Sequence, residues 1–157
     1  MLSSRKIRHR GPAGDALNAL LVQVRRCNGL LNAADDILAA SAGQTSARGQ
    51  VMAVIEERPQ TVADIARVLG LARQSVQRVA DVLVKQALAD YRDNPGHRRA
   101  KLLRLSAEGQ STLQVIQSLQ EPWADAIGLQ VGEETLRRAT HTLRKVLQAV
   151  EAFDWEA

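Results

Sequence analysis

A cluster of cations follows a turn in the second half of the sequence. The turn, Asn94–His97, has proline second and glycine third, which predicts a type II turn with a positive φ at Gly96. The runs on either side, Leu88–Arg92 and Lys101–Leu105, can pair as the strands of a β-hairpin. Adjacent cations on a projecting hairpin repel one another unless a polyanion screens them. The residues expected to meet such a partner are His97, Arg98, Arg99 and Lys101.

A second set of polar side chains precedes the hairpin, on a predicted helix that begins near Ala72. Arginine can bind guanine through two hydrogen bonds, and glutamine can bind adenine in the same way. For Arg73 and Arg78, contact with phosphates alone is an equally open interpretation. The candidates for contact with double-stranded DNA on this helix are Arg73, Gln74, Ser75, Gln77 and Arg78.

The charge of the chain is concentrated around these two sets. The whole chain carries +4 with a pI near 9.8, whereas residues 73–104 hold eight cations and three anions. A merely solvated surface is the alternative interpretation, but the charge coincides with the motif. Aromatic residues make up 3% of the sequence, so stacking on single-stranded nucleic acid is not expected. At 157 residues the chain is one domain, alone or with an added dimerisation layer.

Two short helices are predicted directly before the hairpin. Thr61 and Asp64 match a capping box at the start of the first, and Gly70 ends it. The second begins after Ala72, which offers no side-chain acceptor for a cap. Two short helices joined by a glycine-containing turn form a helix-turn-helix, and a basic hairpin after them makes it winged. We therefore predict a mainly α fold with a small β-hairpin wing.

Longer helices are predicted on both sides of this region. Asp15 is a candidate cap for a first helix that runs to about residue 40. A long helix starts at Ser106 and is expected to reach about residue 126, with Pro122 as a kink or break. A last helix opens near Gly132.

Both end regions carry apolar residues at alternating steps of three and four, the heptad spacing of packed helices. These two seams can pack on each other within one chain or against a second copy. We favour a second copy, because both seams are long and they lie far apart in the sequence. The residues expected at the dimer interface are Leu17, Leu20, Val24, Leu31, Leu136, Leu143, Val146, Val150 and Phe153.

The sequence resembles the MarR family of winged-helix transcription regulators, from about Thr45 to Gly109 and more loosely over the flanking helices. The departures from the family pattern are His97, where the family wing usually has Asp, and Ala72, where it usually has a capping Ser or Thr. The matching segments are Thr45-Ser46, Gln50-Val51, Ala63-Asp64-Ile65-Ala66, Arg73–Arg78, the wing Asn94–Lys101 and its ending Leu105-Ser106-Ala107-Glu108-Gly109.

This resemblance implies a homodimer with interleaved terminal helices, recognition helices in successive major grooves and wings at flanking minor grooves. It favours Arg99 as the residue inserted into the minor groove and Arg98 as the one nearer the backbone. It also implies a small-molecule effector that lowers DNA affinity. The expected organisation is a disordered basic tail (1–14), a dimerisation helix (15–44), the winged helix-turn-helix (45–109) and C-terminal dimerisation helices (110–157).

The sequence thus predicts a sequence-specific DNA-binding regulator, a ligand-responsive repressor on a palindromic operator. The alternative is a winged-helix module that binds an acidic protein surface. Cys27 lies on the first seam, so a packing role is favoured over a redox role. The three histidines have no metal-ligand spacing, and neither a catalytic arrangement nor a cofactor is expected. The lack of an export signal or membrane span predicts a cytoplasmic protein.

Overall fold

The predicted helix-turn-helix and hairpin are both present in the computed structural model, which describes residues 11–97 and 99–155. The expected fold class, mainly α with a small β wing, is confirmed. The chain forms two compact units that divide between Leu113 and Gln114. The elements described are α1 (Pro12–Ala40), α2 (Ser46–Glu56), β1 (Gln60–Thr61), α3 (Val62–Leu69), α4 (Arg73–Lys85), β2 (Ala89–Arg92), β3 (Leu102–Leu105), α5 (Ala107–Val131) and α6 (Glu133–Glu151).

The core of the first unit is built from one face of each helix of the winged region and from the central strand. Apolar residues recur at helical spacing in α2, α3 and α4, so that each helix buries one stripe. Burying one such side chain contributes about 1.5–3 kcal/mol relative to leaving it exposed. This core holds α3 and α4 as supports for the polar residues on their outer faces. Its largest fully buried side chains are Val51, Met52, Ile55, Ile65, Val76, Leu83, Leu103 and Leu113.

A three-stranded antiparallel sheet, in the order β1-β3-β2, carries the wing. Tyr91 lies opposite Leu103 and Asp90 lies opposite Arg104 in the hairpin, and each predicted strand is correct to within one residue. On the other side of β3, Gln60 of β1 pairs with Leu103. We did not predict β1, because a strand of two residues shows no periodicity.

Local hydrogen bonds set the ends of the helix-turn-helix. The Thr61 hydroxyl accepts from the Asp64 N–H at 3.2 Å and donates to the Asp64 carboxylate at 2.6 Å. Gly70 ends α3 in the left-handed region (φ 64°, ψ 30°), which glycine adopts without a steric penalty. Ala72 precedes α4 and provides no side-chain cap, as its methyl group predicts. Both caps of α3, and the turn between α3 and α4, are therefore predictable from the residue types at these positions.

A set of close contacts joins the segment between α4 and β2 to the start of α5. The Ser106 hydroxyl accepts from the Gly109 N–H at 2.9 Å and donates to the Ala87 carbonyl at 2.7 Å. The Ser106 N–H donates to the Leu88 carbonyl at 3.0 Å. Gly109 is buried, and a Cβ atom at this position would lie 2.0 Å from the Leu88 carbonyl oxygen. The serine and the glycine of the Leu-Ser-x-x-Gly ending are therefore both needed to close this junction.

The start of α1 differs from the prediction. The helix begins at Pro12 rather than after Asp15, because proline presets a helical φ and lacks an N–H that would be unsatisfied there. The Gly11 carbonyl accepts from the Asp15 N–H at 3.0 Å, which places Asp15 inside the first turn. The prediction of a disordered tail over residues 1–14 is wrong for residues 12–14, and residues 1–10 lie outside the described part.

The end of α5 also differs from the prediction. The helix continues through Pro122 and ends at Val131, so the expected end near residue 126 is wrong. Proline removes one backbone hydrogen bond of a helix, and that loss does not end a helix of 25 residues. The chain leaves the helix at Gly132, whose φ of 87° is not helical. The following helix, α6, begins at Glu133 as expected.

The apolar seams at the two ends are largely uncovered in the described chain. Leu17, Val24, Leu31 and Leu143 are between 37% and 43% exposed. The other members of the predicted interface behave similarly, with Leu20 and Val146 half-buried and Leu136 and Val150 exposed. Phe153 lies beyond the end of α6 at Glu151, so it is not on the helical seam as predicted, and its place at the dimer interface stays a prediction. Its ring lies edge-on to Trp155, with centroids 4.9 Å apart.

Replacement of Gly109 by alanine should destabilise the fold by about 1–3 kcal/mol, because a Cβ atom must displace the Leu88 backbone. Gly29→Ala is the matched control: Gly29 lies within α1 with open space around it, and alanine there should raise stability by up to about 1 kcal/mol. Urea unfolding at a fixed protein concentration measures both. Equal stability of the two variants would contradict the assigned role of the junction.

Candidate nucleic-acid interface

The first turns of α4 present the polar residues that the sequence pattern selected. Arg73, Gln74, Ser75 and Arg78 are exposed, whereas Val76 on the opposite stripe is fully buried. A helix held by such a stripe presents its outer face in a fixed orientation. The exposed face carries guanidinium, amide and hydroxyl groups, the kinds of donors and acceptors that read base edges and contact phosphates.

The tip of the wing is shaped by Asn94. The His97 N–H donates to the Asn94 carbonyl at 3.1 Å, and the Gly96 N–H donates to the Asn94 side-chain oxygen at 3.0 Å. Gly96 does not have a positive φ, so the predicted type II geometry is wrong. The Asn94 side chain organises the turn instead of a left-handed glycine. His97, Arg99 and Lys101 are exposed, and Arg98 lies outside the described residues.

A groove brings residues of the helix and the wing together. Two adjoining hollows, of about 290 and 510 Å³, lie between the start of α3, the start of α4 and the wing. We call this region the wing groove. Arg73 from α4 and Arg99 from the wing line both hollows, and Lys101 lines the smaller one. The two sets of cations that the sequence places about 25 residues apart thus share one concave surface.

The residues that line both hollows are Thr61, Ala63, Arg73, Arg99 and Ala100. None of the three cations Arg73, Arg99 and Lys101 forms an ion pair with another described residue. Unneutralised positive charges in a concave surface raise the local concentration of an anion. The wing groove is therefore suited to a phosphate backbone.

Other cations of the same segment are neutralised within the hairpin. Asp90 lies 2.8 Å from the Arg92 guanidinium and 3.0 Å from that of Arg104. The hydrogen bond from Arg104 holds the pKa of Asp90 below its usual value, against the opposing effect of burial. Of the eight cations between residues 73 and 104, these two already have an anionic partner. The charge available for a ligand is accordingly concentrated on the wing groove and on α4.

The start of α3 holds a further pair beside the wing groove. Asp64 accepts from Arg67 at 2.8 Å, and its side chain lines the larger hollow. The Thr61 hydroxyl and then the Arg67 guanidinium hold the pKa of Asp64 below its usual value. The carboxylate thus remains charged, with its charge held by the cap of α3 and by Arg67.

One residue of the predicted DNA-binding set, Gln77, is already engaged within the protein. Its amide nitrogen donates to the Asp81 carboxylate at 2.8 Å and to the Tyr91 hydroxyl at 2.8 Å. The Tyr91 hydroxyl in turn donates to the same Asp81 oxygen at 3.2 Å. Burial is the main cause that raises the pKa of Tyr91 above its usual value, so the phenol stays protonated as a donor. These three residues form a closed ring of hydrogen bonds between α4 and β2.

Sequence reasoning missed Tyr91, Asp81 and Asp90 as parts of this surface. Asp81 lies four residues after Gln77, a spacing that brings side chains together on a helix. This spacing could have indicated the contact between them. Tyr91 is brought to them by the fold, because β2 packs beside α4. The cross-strand pairing of Asp90 with Arg104 likewise required the register of the hairpin.

The second unit contains a hollow of about 650 Å³ between α5 and α6. Leu129 and Leu136 give it apolar walls, and His141 and Arg144 add polar groups. Its size is that of a site for a small molecule. Cys27, on the first seam, is exposed in the described chain.

The described residues hold neither a metal-binding cluster nor a membrane-spanning helix. No group of three His, Cys, Asp or Glu residues in 11–97 and 99–155 lies close enough together to hold a metal ion. Within the same residues, no helix is both long and apolar enough to cross a membrane.

Known proteins similar to this chain point to one family. The MarR family sequence profile matches residues 43–100. Uncharacterised proteins of Mycobacterium tuberculosis (strain H37Rv) and Mycobacterium bovis are each 39% identical to the chain over 137 residues. These matches cover 83% of this chain and 96% of each relative.

Solved structures share the fold. The M. tuberculosis transcriptional regulator MosR is 24% identical, with a TM-score of 0.70 over 85% of this chain and 96% of its own. The same regulator in complex with DNA gives a TM-score of 0.68 at 24% identity, over 83% and 96% of the two chains. A MarR family regulator of Streptomyces coelicolor is 22% identical, with a TM-score of 0.69 over 88% and 98%.

The helix pair, the three-stranded sheet and the basic hairpin define a winged helix-turn-helix protein. Because residues 43–100 match the family profile and the structural neighbours share this fold, the chain belongs to the MarR family of transcription regulators.

Proposed function

We propose that the protein is a sequence-specific regulator that binds double-stranded DNA as a homodimer, represses transcription from a palindromic operator and responds to a small molecule. In this proposal residues 45–109 bind DNA, and residues 15–44 and 110–157 form the dimer. The observation that carries it is the wing groove, where Arg73, Arg99 and Lys101 lie together without an anionic partner among the described residues. Structural neighbours include a transcriptional regulator of M. tuberculosis solved in complex with DNA.

The exposed face of α4 is proposed to read bases in the major groove. Gln74 and Arg78 are exposed on the first turns and have the hydrogen-bonding groups for adenine and guanine, respectively. Arg73 lines the wing groove, a position that favours a phosphate contact for it. Ser75 adds a hydroxyl for either kind of contact. Gln77 shares this face, but its amide nitrogen is already hydrogen-bonded within the protein.

The wing is proposed to enter a flanking minor groove. Arginine suits the narrow and strongly negative minor groove of A·T-rich DNA. Arg99 is the proposed inserted residue, and it is exposed beside the wing groove. Lys101 and Arg98 are proposed to contact the DNA backbone, and His97 at the tip is proposed to add a hydrogen-bond donor for it.

The dimer is proposed because the two seams remain uncovered. Apolar side chains at heptad spacing along α1 and α6 are exposed in the described chain. Exposed apolar surface that extends along two helices is typical of a protein interface. Two copies would also place two recognition helices on DNA with the two-fold symmetry of a palindrome.

The response to a small molecule is proposed on the resemblance to the family. The hollow between α5 and α6 gives it a structural basis, since a volume of about 650 Å³ is sufficient for a metabolite. An effector held by helices that form the dimer would alter the spacing of the two DNA-binding surfaces, and thereby the affinity for an operator of fixed spacing.

Variants of the helix and of the wing should lose DNA affinity in different ways. Lys101→Ala should weaken binding to operator and scrambled DNA alike. It should also reduce the salt slope by about one unit, because the protein then neutralises one phosphate fewer. Gln74→Ala should lose about 1–3 kcal/mol on the operator alone and relax preference at one position per half-site. Binding titrations at several salt concentrations measure both effects.

The control for these titrations is Lys145→Ala, an equal change of charge on α6 that should leave the salt slope unchanged. Identical profiles for Lys101→Ala and Gln74→Ala would refute the division of roles. If no variant loses affinity for any DNA, the alternative of a protein-binding module replaces this proposal.

The combined substitution Leu143→Asp and Val146→Asp should abolish the dimer, because it places unpaired charges in an apolar interface. Sedimentation at low micromolar concentration should show a dimer for the wild type and a monomer or unfolded chain for the variant. Gln148→Asp, on the opposite side of α6 from the seam, is the control and should remain dimeric. A stable folded wild-type monomer under these conditions would contradict the proposed assembly.

A further inference from the structure

The hydrogen bonds of Gln77 leave its amide nitrogen fully used. A glutamine amide has two N–H groups, and here one points to Asp81 and the other to Tyr91, each at 2.8 Å. Recognition of adenine by glutamine needs one N–H for the base N7 and the amide oxygen for the base N6. Gln77 cannot make this pair of contacts while its ring of hydrogen bonds is intact.

The ring also connects the recognition helix to the wing. Gln77 and Asp81 lie on α4, whereas Tyr91 lies on β2, the strand that leads into the wing. Gln77 and Tyr91 both line the smaller hollow of the wing groove, alongside Arg99 and Lys101. The hydrogen bonds therefore join α4 to the wing strand at the surface where DNA is proposed to bind.

Asp81 is held within this ring by hydrogen bonds. An anion beside a phosphate-binding surface would repel the DNA backbone. Asp81 forms no ion pair with a described residue, and one of its oxygens accepts two hydrogen bonds, from Gln77 and from Tyr91. The Asp81 carboxylate therefore accepts hydrogen bonds within the ring and orients both Gln77 and Tyr91.

We propose that Asp81 and Tyr91 are positioning residues that hold Gln77 away from the bases and so leave base reading on α4 to Gln74, Ser75 and Arg78. The inference rests on the proposed DNA-binding function. Specificity on this surface is then set partly by residues that do not touch DNA, because the ring removes one potential base reader. Loss of the Tyr91 hydroxyl frees one N–H of Gln77, which becomes available to an adenine in the major groove.

The test compares binding to an operator and to a panel of its single-base variants. Tyr91→Phe removes one acceptor of Gln77 without a change of charge. It should create or alter a preference, by at least about fivefold, at one position per half-site. Affinity for scrambled DNA and the salt slope should stay at their wild-type values. Gln77→Ala added to Tyr91→Phe should cancel the new preference, whereas Gln77→Ala alone should leave the wild-type preference unchanged.

Asp81 provides a second pair of variants in case the loss of the Tyr91 hydroxyl impairs folding. Asp81→Asn keeps an oxygen acceptor for the ring and should retain the wild-type base preference. Asp81→Ala removes the acceptor and should alter preference as Tyr91→Phe does. Both change the charge equally, so a difference in base preference between them reports the hydrogen bonds. Urea unfolding of each variant checks that the fold is retained.

Three results would overturn the inference. Relaxed preference at one position in Gln77→Ala alone would show that Gln77 reads a base directly. Unchanged preference in Tyr91→Phe and Asp81→Ala, with a wild type that is sequence-specific, overturns this inference and leaves the proposed function intact. A wild type without any sequence preference overturns both.

Discussion

The close approach of Gly109 to the Leu88 carbonyl is the constraint on which the DNA-binding region depends. At this point Ala87 and Leu88, which connect α4 to the first strand of the wing, and Gly109 at the start of α5 come within hydrogen-bond distance of Ser106. A side chain at position 109 would force α5 away from the backbone of Leu88. Because the wing extends from this junction, its direction relative to α4 is set by a contact far from its tip.

The distribution of charge on the hairpin follows from its register. Asp90 forms ion pairs with both Arg92 and Arg104. Arg92 lies two residues along the same strand and Arg104 lies opposite on the facing strand, so all three side chains are on one face of the hairpin. The cations of the wing groove have no such partner among the described residues. Surface ion pairs of this kind contribute little to stability, about 0–1 kcal/mol each. Because these pairs neutralise Arg92 and Arg104, the unneutralised charge remains on the wing groove and on α4.

Much of the fold could be predicted because its determinants are local. The turn Asn94–His97, the cap Thr61 and the terminating Gly70 each act through their own backbone neighbours, and all three were found from residue types. The helix boundaries at Pro12 and around Pro122 were missed, because proline is compatible with a first turn and tolerated in a long helix. At the tip of the wing the turn was found, but its type was not.

The candidate site was predicted less completely than the fold, because its arrangement is not local. Sequence reasoning selected Gln77 by residue type and helical position, which is how a base reader is recognised. Tyr91 lies 14 residues further on and reaches Gln77 only when β2 packs beside α4. Hydrogen bonds between side chains distant in sequence leave no periodic pattern, so the ring of Gln77, Asp81 and Tyr91 required the structure.

Selection of binding sites from random double-stranded DNA tests the central claim most directly. The account predicts enrichment of an imperfect palindrome whose half-sites lie about one helical turn apart, roughly 10 base pairs from centre to centre, with A·T-rich flanks where the wings bind. Enrichment of a single asymmetric half-site would contradict the two-fold arrangement. Recovery of no preferred sequence at low salt, where binding is strongest, would contradict sequence-specific recognition by this surface.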